Sequence, residues 1–376
     1  MASSKHLLRF LPFELIEEIL IRTPAESLNR FKWTCKQWYD LITDKRFMYN
    51  HLDRSPERFL RIDDYQTVQI MDPVTGIHKD SPLPDVFRSP HSFDSMVHCD
   101  GLMLCFGGHP IYDRERDIDL AVWNPVTSKI KRIEPLVCYS KSDYFGIGYD
   151  NTCRHNYKIL RFSGPLSFDD PEQCEIYEFK SDSWRTLDAK FDWYVDPQCK
   201  GVSVKGNMYW IADTYVLSFD FTMETFKNVC VCPRTRETKR LGCFSGDRLS
   251  LFLQDVQHGD EEVSTEIEVW VTNKVSDGGV SFTKFFNVTS PQLPLLQYHT
   301  DMARPGYSIG NHKIIMAWCE GYVKEDDDKW CACITFYQID QGGIRKQIET
   351  GLHGSHYSDP FICSYVYVPS LIPVPD

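Results

Sequence analysis

The sequence predicts an α+β multidomain chain: a small N-terminal group of three helices, then an all-β, six-bladed propeller-like domain. Three observations lead there. Apolar residues recur at helical spacing over residues 11–42, LPFELIEEILIRTPAESLNRFKWTCKQWYDLI. After residue 58, short β-rich runs bounded by Gly, Asn, Asp and Pro take over. Those runs repeat as pairs of hairpins with a period of about 50 residues, the signature of a four-stranded propeller blade.

In the helical stretch, Pro12 suits the start of a helix and Glu14 adds a favourable charge in its first turn. Leu15, Ile16, Ile19 and Leu20 make one apolar face, and Thr23-Pro24 ends it because the residue before proline avoids helical dihedrals. A second helix aligns Leu28, Phe31 and Cys35. A third carries Trp38, Leu41 and Ile42, and Asp44 closes it. Three helices of this size fall below the roughly 40 residues at which a core holds without staples. The large apolar positions Leu11, Leu20, Trp33 and Trp38 exceed what they could cover among themselves. Two readings stay open: a second protein completes this core, or the helices pack on the large domain of the same chain. Arg54-Ser-Pro-Glu-Arg58 is polar and proline-bearing, and sets the boundary between domains at 1–55 and 56–376.

The β region carries six echoes of one hairpin. VQIMDPVTGIHKDSPLP (68–84) and LAVWNPVTSKIKRIEPL (120–136) share an Asp/Asn-Pro-Val-Thr turn. Looser copies begin at 175, 216, 267 and 334. A second kind of hairpin alternates with them, as in HCDGLMLCFG (98–107), GVSVKGNMYWIAD (201–213), FSGDRLSLFLQD (244–255) and IGNHKIIMAWCE (309–320), with YFGIGYDNTCRHNYKILRF (144–162) as a longer version. Two hairpins per unit and six copies imply six blades. The first β segment lacks one hairpin and the last, DPFICSYVYVPSLIPV (359–374), lacks the other, so one blade built from both ends would close the ring and remove two orphan edges.

Composition bounds the function. The formal charge is −12; residues 1–60 hold ten Lys/Arg against eight Asp/Glu, net +2, which leaves −14 to the body. An acidic body argues against nucleic acid as the main partner. MASSKHLLRF offers no apolar core of a secretory signal, and no run approaches a membrane span. The fourteen cysteines therefore read as reduced thiols in an intracellular chain, cytoplasmic and/or nuclear.

Catalytic chemistry is sparse. Cys230/Cys232 and Cys331/Cys333 alternate on strands and could converge, yet no further Cys or His pair completes a tetrahedral set, and His353 and His356 read as loop residues. Nucleophile elbows, phosphate loops and zinc-protease motifs are absent. Lys324–Lys329 and Gly259–Glu262 read as solvated acidic loops. Pro233–Arg240 is the one basic cluster, either an inter-blade loop, a nuclear signal or a contact for an acidic partner. Trp123, Trp184, Trp210, Trp270 and Trp318 fall in strand patterns and are expected to pack inside. Trp193-Tyr194 sits in a polar loop, FDWYVDPQ, where an exposed aromatic pair is a candidate substrate-binding anchor. No catalytic residue, metal site or cofactor is assigned.

The stretch Leu11-Pro12, Ile16, Ile19-Leu20, Pro24, Ser27-Leu28, Phe31, Cys35-Lys36, Trp38, Leu41-Ile42 and Phe47 resembles the F-box of plant proteins in order and spacing, with Thr23 and Thr34 departing from the usual leucine and valine. The phrases CDGLMLC, VWNPVT, YEFKSDSW, GVSVKGNMYWIA, LSFDF and IEVWV resemble the F-box-associated domain, itself similar to kelch-type propellers, over roughly residues 60–290. The resemblance implies a non-catalytic subunit of an SCF-type E3 ubiquitin ligase that recruits a target protein for ubiquitination. A Skp-type adaptor, and through it a cullin–RING ligase, would bind at Leu11, Pro12, Leu15, Ile16, Ile19, Leu20, Pro24, Leu28, Phe31, Cys35, Trp38 and Ile42. The other reading is a non-degradative propeller scaffold whose helices bind the adaptor or pack on the ring. Neither reading calls for nucleic acid or membrane.

Overall fold

A computed structural model describes residues 11–63, 67–84, 95–107, 119–136, 143–163, 173–189, 193–195, 201–234, 238–258, 263–296, 306–310, 313–324, 330–353 and 364–376. Four helices come first: α1 (Phe13–Ile21), α2 (Ala25–Phe31), α3 (Lys36–Ile42) and α4 (Lys45–Arg54). Pro12 and Pro24 stand directly before α1 and α2, and their carbonyls accept the first-turn N–H groups of Leu15 and Ile16, and of Ser27 and Leu28. The fourth helix departs from the three expected. Asp44 does not close the third; its Oδ1 accepts the Phe47 N–H at 3.1 Å and so caps a new helix. Phe47, Met48 and Leu52 then add a buried face that α1–α3 lack by themselves.

The strands follow as six antiparallel sheets of four. β1 (Arg58–Asp63), β2 (Thr67–Met71) and β3 (His78–Pro82) make three quarters of the first blade. β4 (Ser95–Cys99), β5 (Leu102–Gly107), β6 (Asp119–Asn124) and β7 (Lys129–Ile133) make the second. The third is β8 (Asp143–Tyr149), β9 (Tyr157–Ser163), β10 (Gln173–Glu178) and β11 (Ser183–Thr186). The fourth is β12 (Val202–Val204), β13 (Asn207–Ala212), β14 (Tyr215–Asp220) and β15 (Thr225–Val231). The fifth is β16 (Thr238–Phe244), β17 (Arg248–His258), β18 (Val263–Thr272) and β19 (Phe282–Ser290). The sixth is β20 (Gly306–Ile309), β21 (Ile315–Lys324), β22 (Trp330–Asp340) and β23 (Gly343–His353). The last strand, β24 (Ser364–Tyr367), returns to pair with β1, Phe59 facing Val366 and Arg61 facing Ser364. The innermost strands β4, β8, β12, β16, β20 and β24 neighbour one another in turn and meet again at β4, so the ring is closed through both ends of the chain.

Local chemistry explains why one hairpin recurs. Asp72, Asn124 and Asp220 each accept two backbone N–H groups two and three residues on, at 2.8–3.2 Å, which bends the chain at the outer hairpin of blades one, two and four. Four residues after each acceptor the backbone turns left-handed, at Gly76, Ser128 and Glu224. The inner hairpins use another device. Asp100-Gly101 and Lys205-Gly206 are consecutive left-handed residues between the pairs Cys99–Leu102 and Val204–Asn207, the two-residue turn whose twist matches the strands it joins.

The segment after β24 is held as firmly as a strand. Ser370, Leu371 and Ile372 are buried. Asn124 Nδ2 donates to the Ser370 and Ile372 carbonyls at 3.1 and 2.6 Å while its Oδ1 shapes its own turn. At Gly101 any Cβ would lie 2.0 Å from the Ser370 Cβ, so the close approach of this turn requires glycine. His98 Nε2 accepts the N–H of Gly101 at 2.9 Å and of Val368 at 3.3 Å. These two bonds require the neutral imidazole. Burial pushes it down to about 4, against about 6.5 in an unfolded chain. Between those values the unfolded chain holds the extra proton, so this contribution is present above the upper one and is lost as pH falls toward the lower. In urea unfolding, wild type is predicted to lose about 2 kcal/mol more than His98→Gln on going from pH 7 to pH 5. An identical pH dependence for both proteins would contradict the role given to His98.

Candidate functional site: two opposed interaction surfaces

In a four-stranded antiparallel blade, the first and third turns open on one face of the ring. The second turn and the link to the next blade open on the other. The helices sit on the first of these faces. Asn29 of α2 donates from Nδ2 to the Val126 carbonyl in the β6–β7 turn at 2.9 Å. Arg154, in the β8–β9 turn, donates from Nε and Nη2 to Asp100 at 3.0 and 3.1 Å and from both terminal nitrogens to Asp53 of α4 at 3.1 Å. Its guanidinium also lies 4.5 Å from the ring centroid of Tyr49, another α4 residue. Tyr157 donates its hydroxyl to the same Asp100 carboxylate. Asp100 and Asp53 therefore raise the Arg154 pKa against the opposing effect of burial. The helices and the ring share one continuous apolar cluster that includes Leu20, Leu28, Phe47, Leu104 and Leu371.

This seating divides the residues expected to meet an adaptor. Leu20, Leu28 and Ile42 are fully buried within that cluster and support the surface from beneath. Ile16 and Trp38 are half-buried. Leu11, Pro12, Leu15, Ile19, Pro24, Phe31 and Cys35 face outward, with Leu11 55% and Ile19 55% exposed. Three further aromatics share the exposed side: Phe13, Tyr39 and Trp33, the last 72% exposed with its ring 5.4 Å from that of Tyr39. Trp33 was legible as a residue too large for the helices to cover. Phe13 and Tyr39 carried no separate signal. Of the two open readings, packing on the large domain of the same chain is what the structure shows: the ring completes one side of the helical core, and the other side has no cover among the described residues.

The opposite face carries Tyr194, on the link from blade three to blade four, 51% exposed. Trp193 does not pair with it as an exposed anchor. It is buried, with its ring 4.9 Å from Phe226 of blade four and 5.6 Å from Phe162 of blade three, so it packs between the two blades. Val195 bridges to Ala212 and accepts the Tyr144 hydroxyl at 2.8 Å, so Tyr194 is displayed from a segment tied down on both sides. Just below, Arg161 donates to Asp143 at 2.7 Å and to Gln173 at 2.6 Å, joining β8, β9 and β10.

Among the described residues no three His, Cys, Asp or Glu side chains are grouped as metal ligands. Burial pushes the Cys230 thiol up to about 12 and that of Cys232 to about 11, so both are neutral. Arg234, in the basic cluster, pairs with Glu268 at 3.5 Å, while residues 235–237 lie outside the described residues. The acidic run 259–262, residues 325–329 and His356 lie outside them too, as do the side chains of Trp318, Cys331, Cys333 and His353. Trp123 and Trp210 are core residues. No described helix is long and apolar enough to cross a membrane.

The two aromatics make opposite predictions. Trp193→Ala removes a packed ring and is expected to destabilise the domain by about 3 kcal/mol, whereas Tyr194→Ala changes stability by no more than about 0.5 kcal/mol. Urea unfolding of both variants measures this, and a Tyr194→Ala loss as large as that of Trp193→Ala would show that Tyr194 is structural.

Comparison with known proteins follows the same division. Residues 8–50 match the F-box domain, and residues 55–374 match the F-box associated beta propeller domain. F-box only protein 15 of Arabidopsis thaliana is 74% identical over the full length of both chains. F-box protein At3g08750 of the same plant is 60% identical, also over the full length of both. The Arabidopsis F-box/WD-40 repeat-containing protein 1 is 40% identical over 97% of this chain and 89% of its own. With a helical module that leaves one apolar side open, seated on a six-bladed ring, and with these relatives, the chain belongs to the plant F-box proteins that carry an F-box-associated β-propeller domain.

Proposed function

We propose that this F-box protein is the substrate-recognition subunit of an SCF-type (Skp–cullin–F-box) E3 ubiquitin ligase, active in the cytoplasm and/or nucleus. The observation that carries the reading is the placement of two exposed surfaces on opposite faces of one ring. The helices turn Leu11, Leu15, Ile19 and Phe31 outward on one face, and Tyr194 stands on the other. A Skp-type adaptor covers the first surface. Each half-exposed Leu or Ile that it buries contributes roughly 1 kcal/mol, and the exposed aromatics Phe13, Phe31, Trp33 and Tyr39 add the larger anchors. A target protein docks on the second surface, anchored in part by Tyr194. Ubiquitin transfer takes place on other subunits, and this chain raises the effective concentration of a substrate lysine by holding it close. Proteasomal degradation of the target would follow.

The sequence departure at Thr23 is accommodated by the structure, and Thr34 is exposed. Thr23 donates its hydroxyl to the Ile19 carbonyl at 2.9 Å, and its own carbonyl accepts from His51 Nε2 at 2.8 Å, which ties the α1–α2 link to α4. A polar residue is thus accommodated without a buried unpaired group.

The test is co-expression with a plant Skp-type adaptor and a pull-down comparing wild type with Leu11→Ala/Pro12→Ala. Both positions are exposed, so the variant is expected to keep its fold and lose the adaptor. Retention of wild type and loss of the variant support the reading. A folded wild-type chain that captures no adaptor overturns it. Ubiquitination of a captured partner in the reconstituted complex then separates a ligase subunit from a non-degradative scaffold.

A further inference from the structure

We propose that the adaptor footprint runs off the F-box onto the second blade, across a cationic–aromatic patch of Lys32 and Trp33 on the helices and Lys129 on the blade, which takes an acidic segment of the adaptor. This inference rests on the ligase reading above and names which parts of the two domains meet the partner.

The seam between α2 and blade two is fixed by the bond from Asn29 to the Val126 carbonyl. Lys32 lies three residues after Asn29, one helical turn along on the same side. Lys129 opens β7 three residues after Val126, is exposed, and follows the left-handed Ser128 that ends the turn. The two ammonium groups are thereby brought to one side of the seam. Lys32 Nζ stands 5.3 Å from the ring centroid of Trp33, which in turn lies 5.4 Å from the Tyr39 ring. Among the described residues neither Lys32 nor Lys129 forms an ion pair, although Arg22, Arg46, Arg54 and Arg154 nearby each have a carboxylate partner. Burial, and then the charge on Lys129, both press the Lys32 ammonium toward its neutral form. Lys32 thus stands beside an exposed indole, and Lys129 is an unneutralised cation on a body that carries −14. A carboxylate-bearing segment would satisfy both charges and cover the ring at once.

The adaptor is the occupant the geometry favours. Phe31, immediately before Lys32, is exposed, and its ring lies 6.0 Å from that of Trp38, so the patch continues the outward apolar surface of the helices without a break. The patch also lies on the helical face of the ring, away from Tyr194. Rim charges of this kind act through association rate and salt dependence more than through bulk affinity.

The experiment measures the Kd of full-length protein for a plant Skp-type adaptor. Lys129 lies outside the F-box, so its substitution probes the propeller contact alone. Lys129→Glu is expected to weaken binding about 10-fold at roughly 0.05 M salt and about 2-fold at roughly 0.5 M salt, where screening is strong. Lys346→Glu makes the same charge change on the exposed edge of blade six and is expected to leave the Kd unchanged at both salts. Thermal midpoints matching wild type establish that both variants are folded. Wild-type affinity for Lys129→Glu at both salt concentrations overturns the inference while the ligase reading stands. Equal weakening by both variants reduces the effect to net charge and also overturns it. A wild-type chain that binds no adaptor overturns the ligase reading and this inference together.

Discussion

The ring depends on one short segment. β24 supplies the missing strand of the first blade, pairing with β1 across some three hundred residues of intervening chain. Without it the first blade would present an unpaired inner edge at the centre of the ring, and the sixth would have no inner-strand neighbour on one side. Ordering such a distant partner costs roughly 3–4 kcal/mol more than closing a hairpin turn, because loop-closure entropy grows with the logarithm of length. The net gain then rests on the grip that follows. Asn124, His98 and the close-packed Gly101 turn all bind the same few residues after β24.

That grip also places the helices. The β6–β7 turn that holds the C-terminal segment through Asn124 receives Asn29 of α2 on its Val126 carbonyl. The Asp100 beside His98 anchors Arg154, which reaches to Asp53 and Tyr49 of α4. Chain entry, chain exit and the F-box therefore share one face of the ring. The inter-blade links, with Tyr194 among them, stand on the other. The two faces are kept apart by the thickness of the propeller, and the placement of the helices on the first is set by packed and hydrogen-bonded elements instead of a flexible tether.

Much of this was legible in the sequence. The six outer hairpins and the alternating inner ones fall where the repeated phrases place them, and turns such as those at Asp72, Asn124, Asp220 and Asp100-Gly101 leave a clear trace through side-chain acceptors or left-handed residues. Closure by the two ends was legible from the unequal hairpins at each terminus. The fourth helix was not, since KRFMYNHLDR buries only four side chains and its cap, Asp44, reads equally well as the end of α3. Nor could periodicity tell which side of the helices faces the ring: Leu20 and Ile19 are adjacent in sequence, yet one is buried and the other exposed. Trp193 and Tyr194 were indistinguishable for the same reason. A side chain in a polar loop is placed by its distant neighbours, here Phe162 and Phe226, and not by the residues beside it.

The most direct test of this account removes the segment on which it rests. A chain ending before Ser364 would be compared with wild type in thermal unfolding followed by far-ultraviolet circular dichroism and tryptophan fluorescence. The account predicts that the shortened chain loses the cooperative transition of the entire ring, not of one blade, and that the helices lose their seat with it. A shortened chain that unfolds in a single sharp transition near the wild-type Tm would contradict the claim that the closing segment holds the ring and the F-box together.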